Sequence, residues 1–104
     1  MKLTSDIYKE TKLFPQSELY ALCSQMQRAA TSIPSNIAEG SGRLTDKDLA
    51  HFLSMALGSS YELETELLIA YEAQYLSQEK CELLHQQIVE IQKMLSALIR
   101  KYSV

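Results

Sequence analysis

Two tetrads have the spacing of a metal site. Glu82-Leu83-Leu84-His85 is a Glu-x-x-His step, and Asp48-Leu49-Ala50-His51 is its aspartate counterpart. A carboxylate and an imidazole three residues apart share one side of a helix, which is how di-iron bundles hold their metals. The apolar pattern around both tetrads argues against that use. Cys81 and Leu84 take the inward positions in one, and Leu49 and Leu53 in the other. Glu82 and His51 then face outward, and His85 sits on a flank. We therefore expect solvated histidines and no metal. No phosphate-cradling glycine loop, nucleophile elbow or zinc-ligand spacing is present. Cys23 and Cys81 form no Cys-x-x-Cys pair and read as small core hydrophobes, with nothing to support a disulfide between them. The expectation is a protein that is not an enzyme and carries no cofactor.

The remaining polar groups suggest binding. Arg28, Ser32, Asn36 (or Ser35), Glu39 and Arg43 recur every three or four residues and so share a helical face. Folding the next segment back about residues 43–44 brings Ser59 and Glu62 level with Arg28. This stripe reads as a structural polar seam, with an Arg28–Glu62 pair, or as the floor of a ligand groove. Leu57, Tyr61, Leu68, Tyr71 and Tyr75 form a second, outward stripe, and tyrosines at helical spacing fit a subunit interface. Arg43, Lys47, Arg100 and Lys101 gather at one predicted end of the molecule. With Arg28 they are the candidate contacts to phosphates.

Four helical segments must position these groups. The first runs from Met1 to about Leu13 and stops at Phe14-Pro15, because the residue before a proline avoids the helical region. The second spans about Gln16 to Glu39, with Pro15 suited to its first turn. Its apolar face is Leu19, Leu22, Cys23, Met26, Ala30, Ile33 and Ile37, and the period runs straight through Pro34. A kink there, not a break, is expected. Thr31, Ser32 and Ser35 are candidates to satisfy the freed carbonyls, and Gly40 and Gly42 to form a left-handed cap. Thr45 caps the third segment, which carries Leu49, Phe52, Leu53, Ala56, Ser60, Leu63, Leu67 and Ala70 and ends near Gln74. Ser77 caps the fourth, whose Cys81, Leu84, Ile88, Ile91, Leu95, Leu98 and Tyr102 keep a strict 3-4 alternation.

Short connections make neighbouring helices antiparallel. The predicted fold is all-α: an up-down-up-down antiparallel four-helix bundle with a short helix 1 and a helix 2 kinked at Pro34, one domain over residues 1–104. Helix 1 is about half the length of helix 3. It should leave apolar surface near Ile33, Ile37, Leu49, Phe52, Leu95, Leu98 and Tyr102 partly open, and such surface usually meets a partner. The formal net charge of −3 argues mildly against a dedicated duplex-DNA binder. The acids concentrate toward the turn between helices 3 and 4. No charged-then-apolar leader opens the chain and no apolar run reaches the roughly 20 residues of a membrane span, so a cytoplasmic protein is expected.

The run RAATSIPSNIAEGSGR, followed by FLSMALGSSYELETELLIA, resembles the 23S rRNA intervening-sequence protein family, also called four helix bundle proteins. LFPQSELYALCSQMQ before it and YLSQEKCELL after it fit the same pattern. The resemblance implies a bacterial helical bundle encoded within rRNA-gene insertions or elsewhere. It extends to the accessory protein of diversity-generating retroelements, a pentameric barrel that binds nucleic acid and a reverse transcriptase. A homopentamer with a weak RNA or DNA contact is what it implies here. The alternative is a protein-interaction scaffold that receives a partner helix without nucleic acid.

Overall fold

The structure, a computed structural model, describes residues 1–18 and 20–103. Four helices follow one another: α1 (Lys2–Thr11), α2 (Leu22–Ser41), α3 (Asp46–Glu72) and α4 (Gln78–Tyr102), with a short 3-10 turn at Gln16–Glu18. No strand occurs among the described residues. Each helix packs on its neighbours in the chain, and α1 closes the ring against α4. This is the up-down-up-down bundle that short connections between amphipathic helices dictate.

The core is a column of aliphatic side chains from all four helices. Leu3 and Ile7, Met26 and Ile33, Leu63 and Leu67, and Ile88 and Leu95 are fully buried. Each buried Leu or Ile contributes about 1.5–3 kcal/mol relative to exposure. The two expected side-chain caps are present. Thr45 Oγ1 accepts the Asp48 N–H at 3.1 Å, and Ser77 Oγ accepts the Lys80 N–H at 3.1 Å.

Helix α2 departs from expectation at its start. It begins at Leu22, six residues after Gln16, because the segment before it is tied to the far end of α3. Phe14 is buried and stacks on Tyr75 with ring centroids 5.4 Å apart, and Tyr75 Oη donates to Glu18 Oε1 at 2.9 Å. Leu19, expected on the apolar face of this helix, lies outside the described residues.

Pro34 sits inside α2, which runs on without a break. The proline removes the N–H that would bond the Ala30 carbonyl. Thr4 of α1 replaces it, donating its hydroxyl to Ala30 O at 2.9 Å. The nearby hydroxyls expected to do this are used elsewhere: Thr31 donates to Gln27 O at 2.8 Å, Ser32 faces Ser59, and Ser35 is exposed.

The glycines after Glu39 also act differently from expectation. Gly42 ends α2 with φ −87°, a right-handed cap. Gly40 is a packing glycine, since a Cβ there would lie 2.9 Å from Phe52 Cβ and 3.1 Å from Leu49 Cδ1. The left-handed cap occurs after α3 instead, at Gln74 with φ 67°. The Gln74 N–H bonds Tyr71 O and the Tyr75 N–H bonds Ala70 O, both at 2.9 Å, which is the paired pattern of a Schellman motif.

Candidate functional site

The polar seam between α2 and α3 is built from small side chains. Asn36 Nδ2 donates to Ser32 O at 2.9 Å and to Ser32 Oγ at 3.0 Å. Ser32 Oγ lies 2.8 Å from Ser59 Oγ, and Ser59 donates to Met55 O at 3.2 Å. With the Ser59 proton committed, Ser32 must donate to Ser59 while accepting from Asn36. Every hydroxyl in the seam is thereby used inside the protein, which makes it a device for helix register.

The charged members of the expected stripe lie outside that seam. Glu39 pairs with Arg43 one turn along α2, and both are exposed. Arg28 and Glu62 are exposed and do not form one of the ion pairs among the described residues. Both are solvated, where an ion pair gains little, and the partly buried acid of this face is Glu66, a turn further along α3. One of its carboxylate oxygens is fully occluded with no hydrogen-bond partner. Burial first, and the neighbouring Glu62 charge second, push the Glu66 carboxyl up from 4.5 to about 7, against a smaller opposing pull from Arg28. Arg28 therefore acts on Glu66 from a distance and forms none of the ion pairs among the described residues.

His85 lies on the flank of its helix as expected, but it has a partner there that its own helix does not supply. It is half-buried, and its Nε2 lies 2.6 Å from Glu64 Oε2, while Gln92 Nε2 donates to Glu64 Oε1 at 3.1 Å. The hydrogen bonds from His85 and Gln92 hold the Glu64 carboxyl below the usual carboxylate range. The signal was available, because folding helices 3 and 4 about residues 74–75 puts 64 opposite 85. Glu82 bonds Gln78 instead of sharing a ligand site with His85. His51 is exposed and edge-on to Phe52.

Both cysteines are buried and free, and desolvation raises both thiols above their ordinary values. They lie on α2 and α4, which approach nowhere to within 8 Å between Cα atoms. That separation exceeds the reach of a disulfide, about 7 Å.

The cations at the end of the bundle do come together. Arg43, Lys47, Arg100 and Lys101 are all exposed, at the C-terminal ends of α2 and α4 and the first turn of α3. Arg43 lies over the Phe52 ring, 4.7 Å from its centroid, and Lys101 lies 5.3 Å from that of Tyr102. Lys47 borders a hollow of about 450 Å³ that it shares with His51, Ser54, Tyr102 and Ser103. Arg28 stands apart, roughly 22 Å further down α2. Among the expected interface residues, Tyr61, Leu68 and Tyr71 are exposed. Leu57 and Tyr75 pack against the core instead, Tyr75 because Phe14 and Glu18 hold it. Of the apolar surface above α1, Ile33 and Leu95 are closed, while Ile37, Leu49, Phe52, Leu98 and Tyr102 stay half-buried.

Fold and surface together define a small antiparallel helical-bundle protein with an internal serine–asparagine seam and a cationic end. The chain belongs to the 23S rRNA-intervening sequence protein family, whose model matches residues 1–97. It is similar to the crystal structure of a protein of unknown function from the S23 ribosomal protein family of Bacteroides thetaiotaomicron. The TM-score is 0.88 at 25% sequence identity, covering 95% of this chain and 89% of that one. No curated protein matches the sequence. No helix among the described residues is long and apolar enough to cross a membrane.

Proposed function

We propose that the protein is a non-enzymatic, cytoplasmic, homo-oligomeric bundle that contacts RNA or DNA weakly through phosphate groups at its cationic end. The observation that carries this reading is the placement of Arg43, Lys47, Arg100 and Lys101, from three separate helix ends, at one exposed end where they outnumber Glu39, Asp46 and Asp48 in a chain whose net charge is −3. Cations gathered in an acidic protein mark a local anion-binding surface. The aromatic rings of Phe52 and Tyr102 lie beside two of these cations. Leu68 and Tyr71, exposed on the outer face of α3, supply the contact between copies. The resemblance to the retroelement accessory protein supports a pentamer as that assembly. Parallel subunits would then present several cationic ends together, so contacts that are weak singly gain avidity.

A mobility-shift titration with a labelled RNA hairpin tests the reading. Arg43→Glu combined with Lys47→Glu is expected to weaken binding at least tenfold at low salt, and unchanged binding would remove the cationic end from the account. A second reading rests on Ile37 and Leu98, half-buried beside the exposed Met94 where α1 gives no cover. There a partner helix would seat, and its binding would be nearly insensitive to salt.

A further inference from the structure

A shallow furrow follows the α3–α4 interface away from the cationic end. Its upper part is the hollow bordered by Lys47, His51, Ser54 and Ser103. Its lower part is a second hollow of about 360 Å³ bordered by Tyr61 of α3 and by Gln92, Lys93, Ser96 and Arg100 of α4. Gly58 lies between them along α3, where it adds no side chain and a Cβ would meet no atom within 4 Å. From Lys47 to Tyr61 the helix advances roughly 21 Å.

The charges in this furrow are one-sided. Lys47, Lys93 and Arg100 line it, and Asp46 is the one acid among the residues bordering the two hollows. Glu64, just below, is already engaged by His85 and Gln92. Ser96 and Ser103 alternate with Lys93 and Arg100 along the α4 bank, and Ser54 follows Lys47 on α3. Tyr61 presents a half-exposed ring at the lower end, with cations on α4 across from it. A linear polyanion with flat, unpaired faces fits this arrangement: phosphates meet spaced cations and a base stacks on an aromatic ring. A duplex does not fit, because its bases are stacked on one another and cannot reach Tyr61.

We propose that a single-stranded polynucleotide lies along the α3–α4 furrow, with its phosphates on Lys47, Lys93 and Arg100 and a base on Tyr61. This rests on the polynucleotide reading above and extends it from the end of the bundle to its side. It assigns Tyr61 to the ligand and leaves Leu68 and Tyr71 to contacts between copies.

Fluorescence anisotropy with a labelled oligouridylate, set beside a duplex of equal length, tests the assignment on the full chain. The single strand is expected to bind at least tenfold tighter than the duplex. Tyr61→Ala should weaken it about tenfold, the scale of a lost base stack. Lys93→Glu should weaken it further and flatten its salt dependence. Both variants should keep the wild-type melting temperature and the wild-type mass by light scattering. Equal or tighter duplex binding overturns the proposal. So does single-strand binding that survives Tyr61→Ala and Lys93→Glu; if Arg43→Glu nevertheless abolishes it, the cationic end stands without the furrow. No binding of either probe defeats both readings.

Discussion

Glu66 makes the protein less stable as its carboxyl ionises, and Glu66→Gln should relieve that. The carboxyl is raised from 4.5 to about 7, chiefly by burial and then by Glu62, with one oxygen occluded and unpartnered. Because the folded value lies above the unfolded one, the native state keeps a proton that the unfolded chain releases. The stabilisation is complete below about pH 4.5 and is lost as pH rises through about 7. Converted in full, the displacement would be worth about 3 kcal/mol at 1.36 kcal/mol per tenfold. The side chain is only half-buried, so solvent screening reduces this to about 1 kcal/mol. Glu66→Gln removes the charge and keeps the shape. Urea unfolding followed by circular dichroism should show the variant about 1 kcal/mol more stable than wild type at pH 8 and equal to it near pH 4. A stability difference that stays constant across this range would refute the argument.

Three further substitutions probe the fold around the site. Thr4→Val leaves the Ala30 carbonyl without a donor and should cost about 1–2 kcal/mol by denaturant unfolding, an effect that Pro34→Ala should largely abolish in a double-mutant cycle. Gly40→Ala forces a methyl against Phe52 Cβ and Leu49 and should cost about 1–3 kcal/mol, read as a lowered melting temperature. Gln74→Gly relieves a left-handed backbone at the end of α3 and should raise stability by about 1 kcal/mol in the same assay.

Periodicity and caps carried most of the architecture. The 3-4 alternation from Cys81 to Tyr102 and the caps at Thr45 and Ser77 are local signals, and the structure keeps them. The start of α2 was not legible, because Phe14 and Glu18 answer to Tyr75, more than fifty residues away. The remedy for Pro34 was hidden for the same reason, since Thr4 comes from another helix. Gly40 and Gly42 looked like a left-handed cap by residue type, whereas the close approach of Phe52 explains Gly40 and Gln74 takes the strained position. In the seam, the members Ser32, Asn36 and Ser59 were legible and their exact register was not. The hairpin expected about residues 43–44 set Arg28 beside Ser59, whereas Ser32 meets Ser59, one turn away, and Arg28 is exposed. His85 went unrecognised because its own helix suggested Glu82 as its neighbour, while the hairpin supplies Glu64.

Salt dependence of RNA binding tests the central claim most directly, because it counts phosphates without presuming which residues hold them. Three furrow cations on a single strand predict a slope of about −2 in log K against log salt. Lys93→Glu should reduce that slope by about one third. A slope near zero with affinity retained would show that apolar contacts hold the ligand, and would contradict the account.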